Sequence, residues 1–267
     1  MIKITIVSTK GGVGKTTLTA NLGGILADSG FKVLLIDADP QPTLSSFYHL
    51  ENRAAAGLTE FIVNSVIDST ISQTTIENLD IVLSNDPDGK LRDWIRDAPD
   101  GRVRLKYILS LLENQYDFVL IDTQGAVGPL QDAAVAAADF MLSPIPPEIL
   151  SAREFVRGTV SMIQRLEPMA RLGAPIGPLR GVIYRQDRTV DAKIIADELR
   201  RSSFTPSKGA ITILDTVIPN AVVYREAATQ KIPVHRLERT RKGPSLSAKD
   251  TMMALAKELI PNLPDLE

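Results

Sequence analysis

The run Thr9-Lys10-Gly11-Gly12-Val13-Gly14-Lys15-Thr16-Thr17 constrains this chain more than any other stretch. It follows the apolar, β-branched segment Ile2–Ser8 and leads into Lys15–Asp28, which is patterned as a helix. Glycines at such a junction let the backbone turn tightly and aim successive N–H groups at one point. A helix starting near Lys15 adds its dipole to that point. Strand, glycine-rich loop and helix in this order form an anion cradle, and the spacing is that of a phosphate loop. Lys15 can then reach the β- and γ-phosphates of a nucleotide, and the Thr16 hydroxyl can ligand Mg²⁺. A glycine-rich turn that binds nothing is the alternative, and the flanking strand and helix count against it. The usual loop opens on a glycine; Thr9 stands at that position here, followed by Lys10.

Beyond the loop, short Val- and Ile-rich runs alternate with segments of helical period. The runs Ile2–Ser8, Lys32–Ile36, Leu79–Leu83, Asp117–Ile121, Phe140–Ile145, Gly181–Tyr184 and Thr212–Ile218 read as strands. Several are apolar at consecutive positions, which suits parallel strands covered on both faces. Helices are expected at Lys15–Asp28, Leu58–Asn64, Val103–Asn114, Gln131–Ala138, Ser151–Leu166 and Val190–Arg201, with a packed helix in Ser247–Glu267. Strand–helix alternation over the whole length predicts one α/β domain, residues 1–267: a doubly wound, mostly parallel sheet flanked by helices. Pro144, Pro146 and Pro147 are expected to stop a strand, and Gly173–Pro178 to form a loop.

Composition removes several classes of function. At 267 residues with 44% hydrophobic and 23% charged residues, the chain is globular rather than disordered. It has no Cys, which excludes disulfides, iron–sulfur ligation and a Cys nucleophile, and its two His exclude sites built on several histidines. No apolar run has the length of a membrane span and no signal-peptide pattern opens the chain, so a cytoplasmic protein is expected. The net charge of −2 conceals a dipole. Residues 1–150 hold 11 Lys+Arg against 19 Asp+Glu, and residues 151–267 hold 19 against 13. A polyanion partner for one face and a merely solvated surface are both compatible with that division.

Two apolar runs end in carboxylates. Val33–Ile36 leads to Asp37-Ala38-Asp39-Pro40-Gln41, and Phe118–Ile121 leads to Asp122-Thr123-Gln124-Gly125. Open α/β sheets bind ligands at the carboxyl ends of their strands. Carboxylates placed there beside a phosphate loop hold Mg²⁺ or its water shell and position attacking water. Singly, each Asp could equally be a turn or N-cap residue.

The loop's second lysine and the Asp-x-Asp-Pro-Gln run together resemble the ParA/MinD group of P-loop ATPases, whose loop reads K-G-G-x-G-K-T. The resemblance implies a P-loop NTPase fold, ATP and Mg²⁺ as cofactors, and hydrolysis to ADP and phosphate. It implies phosphate contacts from Lys10, Gly11, Gly12, Val13, Gly14, Lys15, Thr16 and Thr17, with Lys10 crossing a nucleotide-sandwich homodimer as an arginine finger would. Catalytic roles fall to Lys10, Lys15 and Asp39, the last positioning the hydrolytic water. The metal region is implied to comprise Thr16, Asp37, Asp39 and Asp122. Gly57-Leu58-Thr59-Glu60-Phe61, Asn78–Asn85, Gln186-Asp187-Arg188-Thr189 and Thr216-Val217-Ile218-Pro219 also resemble the group, which makes Pro219 and Asn220 candidate adenine contacts. After Asp122 the chain departs from the group's small residue and two prolines. Only nine residues precede Lys10, so a short form without an N-terminal DNA-reading domain is expected.

In function, the resemblance implies a plasmid or chromosome partition ATPase that is cytoplasmic and nucleoid-associated. Its ATP dimer would bind double-stranded DNA without sequence preference, and a ParB-type centromere-binding protein would stimulate release. A MinD-like ATPase cycling on a membrane needs a basic amphipathic C-terminal helix, whereas this chain ends in an acidic, proline-broken segment. Nitrogenase iron protein needs cluster cysteines. ATP-dependent metabolic ligases share the loop but not the Asp-x-Asp-Pro-Gln run. A pure DNA-binding module would not carry complete ATPase motifs, and no recognition-helix motif is present. The candidate DNA surface joins Arg185, Arg188 and Arg225 to Lys231, Arg236, Arg239, Arg241 and Lys242. Residues 231–242 hold five basic residues, one acidic residue (Glu238) and no Phe, Tyr or Trp, so phosphate contact rather than base stacking is expected.

Overall fold

The computed structural model describes residues 1–204, 210–241, 243, 245–261, 263 and 264. In chain order its elements begin β1 (Ile2–Ile6), α1 (Lys15–Asp28), β2 (Val33–Ala38), β3 (Leu50–Asn52), α2 (Leu58–Val63), β4 (Ile71–Thr74) and β5 (Leu79–Val82). They continue α3 (Lys90–Asp97), α4 (Gly101–Ser110), β6 (Phe118–Thr123), α5 (Pro129–Ala137), β7 (Phe140–Ile145), α6 (Ile149–Glu154) and α7 (Ser161–Leu166). The remainder is β8 (Leu179–Gln186), α8 (Val190–Phe204), β9 (Ile211–Pro219), α9 (Val223–Gln230), α10 (Val234–Leu237) and α11 (Ala248–Leu259). The nine strands lie in the order β3-β4-β5-β2-β6-β1-β7-β8-β9. All neighbours are parallel except the β3–β4 and β4–β5 pairs at one edge.

Strand alternation divides the core between two faces. Leu35 and Leu120 face α1 and α11, while Leu34, Ile36, Val119 and Ile121 face α2–α5. The mostly parallel, doubly wound sheet expected from the sequence is therefore present, with helices on both sides. The apolar face of α11, through Met252, Leu255 and Leu259, is buried in the first of these layers. Among the described residues no helix is long and apolar enough to cross a membrane.

The structure adds elements to those expected and interrupts one of them. Strands β3 and β4 and helices α3, α9 and α10 add to the elements expected from the sequence. The first two are short antiparallel edge pieces, and α3 buries only Leu91 and Ile95. Strand β7 spans Phe140–Ile145 as expected, passing through Pro144 and ending before Pro146 and Pro147. Pairing of β7 with β1 ends at Leu142, so the missing N–H of Pro144 falls where no neighbour waits for it. The helix expected over Ser151–Leu166 is interrupted: α6 passes into a π-helical segment, Phe155–Val160, before α7.

Asp28, the last residue of α1, clamps α10. It accepts from Arg236 Nε at 2.6 Å and Arg236 Nη2 at 2.5 Å, and lies 2.7 Å from His235 Nε2. Against the opposing effect of its own burial, hydrogen bonds from Arg236 and His235 hold the Asp28 carboxyl well below the usual carboxylate range. A depressed folded-state pKa gives stability that is present above the unfolded value, near 4, and lost as pH falls toward the folded value. Asp28→Asn is expected to cost about 2 kcal/mol at pH 7 and to flatten the loss of stability between roughly pH 4 and pH 2, read by denaturant melts across pH.

Candidate nucleotide site

The site forms where the carboxyl ends of β1, β2 and β6 meet. Register places Ile6 opposite Asp122 and Asp37 opposite Asp122, so two carboxylates and the loop after β1 converge at one end of the sheet. Strand β1 sits where connections turn to opposite sides, the crevice in which such sheets bind ligands. Gly14 opens α1 with φ of 101°, a left-handed conformation that favours glycine, and a Cβ there would overlap the Tyr184 ring. Gly125 lies so close that its Cβ would stand 2.7 Å from Gly11 Cα. The departure after Asp122 thus has a physical reading: glycine lets the β6 loop rest directly on the phosphate loop.

Lys15 is 7% exposed, and its Nζ lies 3.5 Å from the Lys10 carbonyl oxygen. Burial pushes its ammonium below the ordinary lysine range, against the pull of Asp122 and Asp39. A cation held in that condition gains from an arriving polyanion. Thr16 Oγ1 donates to Asp122 Oδ2 at 2.6 Å, and Thr19 Oγ1 lies 3.4 Å from Asp122 Oδ1. Burial pushes the Asp122 carboxyl up to about 7; the Thr16 hydrogen bond opposes this, Asp37 adds to it, and Lys15 opposes it. Asp37 is fully buried and accepts from Ser45 N and Ser45 Oγ, both at 2.7 Å. Burial pushes its carboxyl up to about 6 against those two bonds. Asp37 therefore orders the segment after β2, and Asp39, half-buried at its end, accepts from Gln41 N at 2.9 Å.

Among the described residues no three His, Asp or Glu side chains converge as a metal cage. The donors present, a Thr16 hydroxyl on a buried Asp122, fit Mg²⁺, which is bound through one or two carboxylates with phosphate oxygens and water completing its shell.

Lys10 takes the opposite course from Lys15. Its Nζ lies 2.9 Å from Ser151 Oγ and 3.9 Å from Glu148 Oε2, so it leans away from its own loop onto α6. Pro219 and Asn220 line a cleft of about 470 Å³ together with Thr17, Tyr184, Arg185 and Arg225. Arg185 Nη1 donates to the Gly12 carbonyl at 3.2 Å, placing it on the nucleotide site. Arg188 donates to Ser245 Oγ at 3.0 Å, and Arg239 and Arg241 are exposed beyond α10. Arg236 is committed to Asp28, and Lys231 caps α9 in a left-handed conformation. Lys242 lies outside the described residues. Sequence reasoning misses Ser45, Ser151 and Glu154, because nothing in their spacing ties them to the loop.

The fold and this loop define a P-loop nucleotide-binding protein. A family described as an AAA domain matches residues 1–170. The chain is 32% identical to the chromosome-partitioning ATPase Soj of Treponema pallidum over 86% of this chain and 88% of that one. It is 29% identical to the maintenance of carboxysome distribution protein A of Gloeothece citriformis, over 84% and 82%. In fold it superposes on an ATP complex of Cyanothece McdA with a TM-score of 0.82 at 24% identity, covering 100% of this chain and 98% of that one. The chain belongs to the ParA/MinD-type partition ATPases. It is an ATPase of partition or positioning type.

Proposed function

We propose that this protein is a single-domain DNA-partition ATPase whose ATP-bound form is a face-to-face homodimer. The dimer binds double-stranded DNA without sequence preference and releases it on hydrolysis, which a ParB-type centromere-binding protein accelerates. The observation that carries this reading is the divergence of the two loop lysines: Lys15 turns into the cradle, while Lys10 leaves it for the outer face. A cation turned away from its own loop, onto Ser151 and Glu148, is placed to serve a second subunit's phosphates. Lys15 and the loop N–H groups hold the phosphates, Thr16 and Asp122 hold the metal region, and Pro219 and Asn220 border adenine. Thr16 and Asp122 would hold Mg²⁺, which would supply positive charge to offset that of the phosphates. Asp39 sits on a loop braced by Asp37 and Ser45, where it orients the attacking water. Lys10 of the second subunit meets charge developing on the transferred group.

Of the basic residues, Arg188, Arg239 and Arg241 form the DNA surface in this reading, with Lys242 next to Arg241 in the sequence, and Arg185 and Arg225 border the nucleotide. Two copies of the patch on one duplex raise affinity without any change in the individual side-chain interactions, so ATP promotes DNA binding and the protein gathers on the nucleoid. Binding is expected to weaken steeply with salt. Replacing Arg239, Arg241 and Lys242 together by Ala should lower affinity and flatten the log–log salt slope by about 0.9 for each phosphate that is no longer neutralised. ATP-driven dimerisation should persist in that variant. Fluorescence anisotropy with duplexes of unrelated sequence is the test; a triple variant that binds like the wild type contradicts this surface, and a wild type that binds no DNA with ATP contradicts the partition reading.

A further inference from the structure

The first residue of the phosphate loop is tied to a helix far along the chain. Thr9 Oγ1 donates to Glu154 Oε1 at 2.7 Å, and the Thr9 N–H lies 3.4 Å from Thr159 Oγ1. Glu154 ends α6, and Thr159, fully buried, lies in the π-helical segment that follows. On an α-helix, positions five apart diverge by about 140°. The i→i+5 pattern of a π-helix turns such positions toward one face, which brings both side chains to Thr9. Gly158 supplies the space: a Cβ there would overlap Thr9 Oγ1 and the Glu154 carboxylate. The next loop residue, Lys10, rests on Ser151 of the same helix, and Ser151 Oγ in turn lies 3.3 Å from Glu148 Oε2.

We propose that Glu154 is a positioning residue for hydrolysis: acting through Thr9, it sets the direction in which Lys10 leaves the phosphate loop. The proposal rests on the reading of Lys10 as a residue that acts across the dimer. Where the usual loop opens on a glycine with no side chain to hold, this chain has a hydroxyl and a carboxylate that meet, a glycine that leaves them room, and a π-helical turn that aligns the second acceptor. Lys15 and Thr16, which hold the phosphates and the metal region, bond to Lys10 O and Asp122 and not to the Thr9, Glu154 or Thr159 side chains. Losing it therefore disturbs the step that uses Lys10 and spares ATP binding.

The test is steady-state ATP hydrolysis by the full-length protein carrying Thr9→Val, Glu154→Ala, Glu154→Gln or Gly158→Ala, with circular dichroism confirming the fold. Thr9→Val, Glu154→Ala and Gly158→Ala should each lower kcat about tenfold while KM stays within about twofold, because a hydrogen bond to a charged group is removed without touching the phosphate-binding groups. Glu154→Gln keeps an acceptor oxygen for Thr9 and should retain most of the wild-type rate. Thr9→Val keeps the side-chain volume, so it serves if Gly158→Ala misfolds. Wild-type kcat in Thr9→Val and Glu154→Ala overturns the proposal. So does a rise in KM at unchanged kcat, or a Gln variant as slow as the Ala variant. A Lys10→Ala control separates the two ideas. If it hydrolyses ATP normally, the trans reading fails; if it is impaired while Thr9→Val is normal, only the latch fails.

Discussion

Lys15→Ala is expected to lose ATP binding, with affinity falling by at least about a hundredfold in isothermal titration calorimetry. Lys15 is buried at the start of α1, its ammonium pushed down by burial and drawn up by Asp122 and Asp39. Without it, the phosphates of ATP would meet buried carboxylates with no lysine ammonium to offset their charge. The loop N–H groups would remain, since Gly14 and the α1 N-terminus do not depend on the lysine side chain. They cannot offset both the phosphate charge and the repulsion of Asp122. Unchanged affinity in Lys15→Ala would overturn the assignment of the phosphate loop.

Asp39→Ala should separate binding from chemistry. The variant is expected to bind ATP and dimerise, while its hydrolysis slows by about a hundredfold or more, the scale of a lost base or water-positioning group. Asp37 is held by Ser45, so the loop that carries Asp39 keeps its course when the Asp39 side chain is removed. Loss of a negative group near the γ-phosphate should also prolong the ATP dimer. Light scattering after ATP addition, followed by phosphate release over time, reads both effects. Rapid hydrolysis by Asp39→Ala would move the water-positioning role elsewhere.

The parts of this molecule legible in the sequence are those written in local patterns. The Ile2–Ile6 run, the glycine-rich loop and α1 stand in one continuous stretch, and β2 and β6 announce themselves by apolar runs that end in Asp37 and Asp122. Strand β3 is hidden in the sequence because it is three residues long and largely exposed at a sheet edge, where no alternation can develop. The π-helical turn leaves no period of its own in six residues; Gly158 is its one visible trace, and only the Thr9–Glu154 hydrogen bond explains it. Arg236 reads as one more charge in a basic run, yet it pairs with Asp28, 208 positions earlier. Sequence neighbours suggest a patch, and tertiary packing removes one residue from it.

The most direct test of the trans role of Lys10 mixes two inactive proteins. Lys10→Ala keeps Asp39 and Lys15 but cannot supply the crossing lysine; Asp39→Ala supplies that lysine but cannot position water. In a mixed dimer, the nucleotide site of the Lys10→Ala subunit would have its own Asp39 and would receive Lys10 from the Asp39→Ala subunit. ATP hydrolysis measured across mixing ratios should therefore rise well above that of either protein alone, peaking near equal amounts. A mixture whose rate is only the weighted sum of its components would contradict catalysis across the dimer.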